Sequence, residues 1–284
     1  ENNEKAQKAF KQGEWNHVRI VAKGDSIKTW LNDVPAADLK DDLTRSGFLG
    51  LQVHQSAEKE PLEVRWRNIR IKDYGVPGVA VPKDATMLLG KKGDLSAWEH
   101  AGKPGTQVQW KFKDGVLEVE PGSGSIVTRK AFGDCQLHVE FMVDENGKEG
   151  QANGNSGVYI QQRYEVQILN SAGQEPADNI CGGIYRIKAA DYNMALPAGQ
   201  WQRYDITFHA PKWDADGKKT ANARLTVYHN GTKIHDNVEV PTNTGAGSPE
   251  ASTDGPLLLQ DHGNRIRFRN IWIRELPEQP YLIE

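Results

Sequence analysis

Apolar and polar side chains alternate along this chain in short runs, and they almost never recur at the three-to-four spacing of a helix. Period-two runs separated by Gly, Asp, Asn and Pro fit strands with one buried face, arranged as a sandwich or barrel. Residues 136–143 place Leu137, Val139, Phe141 and Val143 on one face and His138 and Glu140 on the other. Lys23-Gly24-Asp25 turns 17–22 into 26–31, and Asp114-Gly115 turns 107–112 into 116–120. Further strands are expected over 157–161, 164–169, 203–209, 223–229, 257–261 and 265–274, with Asn230-Gly231 as another hairpin turn. Only 3–11 and 36–43 would tolerate a helical turn or two. The fold class is therefore all-β.

A second constraint is an internal repeat that keeps its order. Gly13-Glu14-Trp15-Asn16-His17-Val18-Arg19-Ile20 resembles Gly199-Gln200-Trp201-Gln202-Arg203-Tyr204-Asp205-Ile206. Trp30-Leu31-Asn32-Asp33 resembles Tyr228-His229-Asn230-Gly231, and Leu49-Gly50-Leu51-Gln52-Val53-His54 resembles Leu257-Leu258-Leu259-Gln260-Asp261-His262. Val64-Arg65-Trp66-Arg67-Asn68-Ile69-Arg70-Ile71 resembles Ile266-Arg267-Phe268-Arg269-Asn270-Ile271-Trp272-Ile273. Ordered self-similarity marks a repeated structural unit. Residues 1–75 read as the C-terminal half of one domain and 84–278 as a complete second copy. Between them, 76–83 is an extended linker stiffened by Pro77 and Pro82, and 279–284 is a tail. A half sandwich leaves strand edges and an apolar face bare. Residues 1–75 are therefore expected to pack on the second domain or on another chain, or to be the remnant of a longer precursor.

Composition narrows the classes of partner. The 284 residues carry 35 Lys and Arg against 38 Asp and Glu, a formal net charge of −3. That balance argues against general binding to nucleic acid, which needs a clustered basic surface. The longest apolar run, around Val79–Val81, is too short to span a bilayer. The chain opens on neither Met nor a signal segment and reads as a processed or truncated product. Two cysteines, Cys135 and Cys181, are too few for a structural zinc cluster. They could pair in a disulfide or remain as two buried thiols.

Residues 84–278 resemble the 3-keto-disaccharide hydrolase family, formerly a domain of unknown function. The matching stretches are Asn155-Ser156-Gly157-Val158-Tyr159, Arg163-Tyr164-Glu165-Val166-Gln167-Ile168-Leu169, Cys181-Gly182-Gly183-Ile184-Tyr185, Gly199-Gln200-Trp201, His229-Asn230-Gly231, and Leu259-Gln260-Asp261-His262-Gly263-Asn264 followed by Arg267-Phe268-Arg269-Asn270-Ile271. The resemblance implies a concanavalin A-like jelly-roll β-sandwich of two antiparallel sheets, preceded by a half-domain of the same type. It also implies work on sugars oxidised at C3. A C3 ketone acidifies the C2 proton, a base removes it, the C1 substituent leaves, and water then adds. Such a site needs a base, an acid for the departing oxygen and a stabiliser for the enediolate, a role a divalent metal ion could fill. By analogy with family members, the protein is expected to be exported, its leader already removed.

Within these motifs, Glu165 and Gln167 share one strand face while Val166 and Ile168 take the other. Glu165 and His262 are the candidate catalytic pair. Tyr159, Gln161, Arg163, Gln167, Tyr185, Gln260 and Arg267 are candidate substrate contacts, and Glu165, Asp261 and His262 a candidate metal set. Against this stand plainer readings: a solvated strand face for Glu165 and Gln167, a turn-capping role for His262, and surface ion pairs for Arg163 and Arg267. His138 and Glu140 join the site only if their strand lies in the same sheet as Glu165. Trp201 reads as core, because its counterpart Trp15 recurs in a copy lacking Glu165. That copy has Val53 in place of Asp261, so His54 is expected to be structural or vestigial and residues 1–75 inactive. Two further readings of the whole chain stay open: a carbohydrate-binding module without catalysis, and a structural component of a larger assembly.

Overall fold

The computed structural model describes residues 3–23, 25–41, 49–52, 63–71, 80–90 and 95–277. The chain divides into two compact units, Glu1–Asp73 and Tyr74–Glu284. His54, residues 76–79 of the expected linker and the tail 279–284 lie outside the described residues.

The first unit holds helix α1 (Glu4–Ala9) and strands β1 (Val18–Lys23), β2 (Ser26–Leu31) and β3 (Val34–Lys40), which form a three-stranded antiparallel sheet in that order. Asn3 caps α1, its side-chain oxygen accepting from the Ala6 amide at 3.1 Å. Its amide donates to the carbonyls of Pro35 and Ala36, both at 2.9 Å, and so ties the helix to β3. Of the stretch 36–43, where a helical turn is tolerable, residues 36–40 form strand instead, and 42–43 lie outside the described residues. Asn32 and Asp33 adopt φ of 47° and 65°, the left-handed pair of a tight hairpin turn. The turn sends Val34–Lys40 back along β2 as β3. Ladder bonds to β2 outweigh the helix propensity of its alanines, leucine and lysine.

The second unit contains β4 (Thr86–Leu89), β5 (Trp98–His100), β6 (Lys111–Lys113), β7 (Val116–Glu118), β8 (Ile126–Phe132) and β9 (Cys135–Val143). It continues with β10 (Ser156–Ile160), β11 (Tyr164–Ile168), β12 (Gln202–His209), β13 (Lys212–Trp213), β14 (Lys219–Ala221) and β15 (Ala223–His229). β16 (Thr232–Val240), β17 (Gly255–Leu259) and β18 (Ile266–Glu275) complete it. A five-stranded sheet runs β11-β10-β17-β8-β5. An eight-stranded sheet runs β16-β15-β12-β9-β18-β7-β6, with β4 also on β18, and β13 pairs with β14 in a separate ribbon. The described pairings are antiparallel, as expected for a jelly-roll β-sandwich.

The core lies between the two sheets. Val158, Ile160, Val166, Ile168, Leu257 and Leu259 of the smaller sheet meet Leu137, Val139, Phe141, Ile206, Phe208 and Phe268 of the larger one in one buried cluster. The Tyr164 and Phe208 rings pack 5.4 Å apart, and the Tyr204 hydroxyl of β12 donates to the Gln167 carbonyl of β11 at 2.6 Å, tying the sheets together. Cys135 and Cys181 are both buried and unpaired, which closes the disulfide alternative. Burial pushes the Cys181 thiol up to about 11, against a nucleophilic role. Truncating Phe268, fully buried, to Ala is expected to cost about 3–5 kcal/mol in urea denaturation. The same change at its repeat counterpart Trp66, 52% exposed, should stay within about 0.5 kcal/mol.

β9 belongs to the larger sheet, so His138 and Glu140 lie apart from β11. The His138 ring stacks on Trp272 at 5.2 Å and meets Asp205 Oδ1 at 2.6 Å. Asn270, whose φ of 47° marks a bulge in β18, donates to Glu140 at 2.8 Å. These groups form a structural polar network. Among the described residues no helix is long and apolar enough to cross a membrane.

Candidate functional site

The hairpin β10–β11 brings Tyr159 opposite Glu165 and Gly157 opposite Gln167. Its turn is Gln161-Gln162, with φ of 55° and 56°. Cross-strand partners project to the same face of a sheet, so Tyr159, Glu165 and Gln167 all point away from the inter-sheet core. The alternation in 164–169 therefore has the expected sense, but the outer face is not solvated. Every residue of β11 is buried, because loops from elsewhere in the chain close over it.

Three segments make that closure. Residues 182–185 run along the free edge of β11: the Gln167 amide donates to the Gly183 carbonyl, and the Gly182 amide to the Gln167 carbonyl, both at 2.9 Å. Thr244 reaches over from the loop after β16, its Oγ1 accepting from the Glu165 amide at 2.7 Å. The next residue, Gly245, lies so close that a Cβ there would fall 2.7 Å from the Tyr185 ring and 3.3 Å from Glu165 Oε2. Gln260 follows β17, its amide donating to the Gly157 carbonyl at 3.1 Å and its side chain to the Tyr159 hydroxyl at 3.1 Å. Together they bound a cleft of about 430 Å³.

Of the residues singled out in the sequence, Tyr159, Glu165, Gln167, Tyr185, Gln260 and His262 line this cleft. Glu165 is the deepest charged group. Burial pushes its carboxyl up to about 7, and a hydrogen bond from the Tyr159 hydroxyl only partly offsets that rise. The same burial, reinforced by Glu165, drives the Tyr159 phenol upward, so Tyr159 stays a donor. Space for the carboxylate comes from Gly157: a Cβ at that position would lie 2.3 Å from Glu165 Oε1. An amide relay steadies the neighbouring wall. Gln167 Nε2 donates to Asn155 Oδ1 at 3.2 Å, and Asn155 Nδ2 to the Gln151 carbonyl at 2.8 Å. His262 stands at the exposed rim.

The remaining candidates are committed elsewhere. Gln161 donates to the Phe132 carbonyl at 3.0 Å, and Arg163 donates to Gln161 Oε1 and the Thr253 carbonyl, both at 2.9 Å. Arg163 is thus committed to the turn and to residues 249–253 and lines no part of the cleft. Arg267 pairs with Glu118 at 2.8 Å and Asp144 at 3.0 Å on the larger sheet. Asp261 accepts from the Gly124 amide at 2.9 Å and from the Gly263 amide at 2.8 Å, which holds it to the turn and away from the cleft. The three-residue metal set Glu165, Asp261 and His262 is thus not assembled. Among the described residues no group of three or more His, Cys, Asp or Glu could hold a metal ion.

Sequence reasoning missed Gln151, Arg186, Gly245 and Ala246 as cleft residues. Arg186 had a local signal in its position beside Tyr185, after the Cys181-Gly182-Gly183 motif. Its guanidinium approaches the Tyr185 ring to 5.5 Å at the mouth. Gly245 and Ala246 had none, because their place depends on a loop crossing from the far side of the sequence.

Comparison with known proteins agrees with this architecture. The profile of the family described as a 3-keto-alpha-glucoside-1,2-lyase-like domain matches residues 1–72 and 84–274. A candidate glycosyl hydrolase from Parabacteroides distasonis ATCC 8503, solved at 2.13 Å, is 36% identical with a TM-score of 0.62, over 69% of this chain and 85% of that one. A second candidate glycosyl hydrolase from the same organism, solved at 1.70 Å, is 19% identical with a TM-score of 0.50, over 69% of this chain and 95% of that one, and shares the fold. None of the curated proteins matches the chain.

Proposed function

The chain belongs to the 3-keto-alpha-glucoside-1,2-lyase-like family, and from that membership we propose that it cleaves 3-keto-glycosides by removing the C2 proton and expelling the C1 substituent. The observation that carries the reading is the Glu165 carboxyl, buried in the cleft with its pKa raised to about 7. A general base works best when its pKa lies near the working pH. The C2–H bond breaks toward Glu165, its electrons form the C1=C2 bond, and the C1–O bond breaks with the alkoxide leaving. His262 at the rim is suited to protonate that oxygen. Charge on the C3 oxygen builds during proton removal, and Arg186 and the Tyr185 hydroxyl are the donors at the mouth able to meet it. Water then adds across C1=C2 and restores the 3-keto sugar. No step is routed through a metal, since the donor set does not fit one.

The test is incubation of the whole protein with 4-nitrophenyl 3-keto-glucopyranoside in D2O. The expected result is nitrophenolate release with deuterium appearing at C2 of the sugar. Release without deuterium would mean ordinary hydrolysis at C1. Saturable binding with no release would favour the binding-module reading instead.

The pH dependence follows from the raised pKa. The base works only when deprotonated, so the acid limb of kcat/KM is expected near pH 7 rather than near the ordinary carboxyl value of 4.5. In Tyr159→Phe the hydrogen bond that lowers the Glu165 pKa is gone, and the limb should move to higher pH. A limb that stays near 4.5 in the wild type would remove Glu165 from the role.

A further inference from the structure

Gln167 is only 1% exposed, yet it lines the cleft, and its side-chain amide has one fixed orientation. Backbone carbonyls only accept, so an amide nitrogen must face each carbonyl that Gln151 and Asn155 meet. Gln151 Nε2 donates to the Asn179 carbonyl at 2.7 Å, which leaves Gln151 Oε1 to accept from Asn155 Nδ2 at 3.1 Å. Asn155 Nδ2 also meets the Gln151 carbonyl at 2.8 Å, so Asn155 Oδ1 is an acceptor and takes Gln167 Nε2 at 3.2 Å. Reversing the Gln167 amide would set its oxygen against Asn155 Oδ1, two acceptors with no proton between them. Three amides in series thus leave Gln167 Oε1 as the free end.

Among the described residues nothing donates to that oxygen. Buried acceptors are nearly always paired, and in a cleft open to solvent the donor is a hydroxyl of water or of a bound sugar. Gln260 Oε1 also has no donor, but that atom is sealed from solvent, which Gln167 Oε1 is not. The place of Gln167 beside the base says which hydroxyl it meets. Gln167 pairs across β10–β11 with Gly157, and Glu165 Oε1 leans over Gly157, 2.3 Å from where a Cβ would stand. Cross-strand β-carbons lie about 4.5–5.5 Å apart, so the carboxylate oxygen stands within about 8 Å of the Gln167 β-carbon. A carbon that gives its proton to Glu165 therefore carries its own hydroxyl alongside Gln167.

From this we infer that Gln167 is a specificity-determining residue whose side-chain oxygen accepts a hydrogen bond from the 2-hydroxyl of the oxidised sugar. The assignment rests on the reading of Glu165 as the base at C2. The 3-ketone is not the partner, since it has no proton to give. The cleft then takes 3-keto sugars whose O2 is free. A ring without oxygen at C2 leaves Gln167 Oε1 buried with no donor. A ring substituted at O2, as where a further sugar is linked there, brings an acceptor and added bulk against a wall held by the amide relay.

The probe is a 3-keto C-methyl glucoside, whose C1–C bond cannot be expelled, titrated calorimetrically into the whole protein beside its 2-deoxy, 2-O-methyl and 4-deoxy counterparts. The parent and the 4-deoxy compound are expected to bind alike, and the 2-deoxy and 2-O-methyl compounds at least about tenfold more weakly. In Gln167→Met, which keeps the length of the side chain and removes the acceptor, the gap between parent and 2-deoxy compound should close. A 2-deoxy compound that binds as well as the parent would overturn the inference. So would a loss that falls on the 4-deoxy compound instead, a gap that survives Gln167→Met, or a parent compound that does not bind. The wild-type series decides even where Gln167→Met fails to fold. No bond at C1 breaks in these compounds, so the result is separate from turnover. A clear 2-hydroxyl preference beside no release of nitrophenolate would sink the catalytic reading alone and leave recognition of O2 standing.

Discussion

A Glu165→Gln protein is expected to release aglycone from a 3-keto-glucoside about 10²–10⁴ times more slowly than the wild type, the range for loss of a general base. The same protein should be the more stable of the two at pH 8. Burial raises the Glu165 pKa from 4.5 to about 7, so between those values the folded state holds a proton that the unfolded state has released. Stability from this group is therefore fully present below about pH 4.5, is lost as pH rises through 7, and stays lost above it. Linkage sets the penalty at pH 8 at about 3 kcal/mol at most. Glutamine has no charge to bury. Urea denaturation at pH 4 and pH 8 checks this: the variant should gain on the wild type at the higher pH and show little gain at the lower. Unchanged turnover, or a variant less stable than the wild type at pH 8, would refute the account of Glu165.

Gly157→Ala is expected to reduce kcat/KM about 10²-fold while leaving the sandwich folded. A Cβ at 157 would meet Glu165 Oε1 at 2.3 Å and Tyr159 Cε2 at 2.8 Å, well inside van der Waals contact. The carboxylate is the end of a flexible side chain and is the group that can yield. It cannot move far, because Gly245 and the Tyr185 ring stand on its other side. A base displaced by about 1 Å loses this much rate. The backbone of β10 keeps its ladders to β11 and β17, so circular dichroism and the unfolding midpoint should change little. Full activity in Gly157→Ala would mean that the carboxylate position seen here is not the working one.

The sandwich was legible because period-two alternation reports burial directly in β12 and at most positions of β9, whereas β10 and β11 are buried on both faces. β8 was harder to see, since Thr128, Arg129 and Lys130 interrupt its apolar run. β16 was hidden by polar residues across its middle. At the site, the hairpin around Glu165 could be read locally, because Tyr159 and Glu165 are six residues apart in two neighbouring motifs. Asp261 could not be placed the same way. Its neighbours in sequence mark it as a site residue, but its carboxylate is drawn off by the Gly124 amide, 137 residues away. Arg163 stands two residues before Glu165, but its guanidinium is taken up by Gln161 Oε1 and by the Thr253 carbonyl, 90 residues away. Long-range backbone donors and acceptors are the information that one-dimensional spacing does not carry.

The bare α-carbon at 157 also bears on descent. On the proposed chemistry, a lineage that drifts to serine or alanine there would crowd its own base while keeping the cleft. One codon would then separate a member that turns substrate over from one that only holds it.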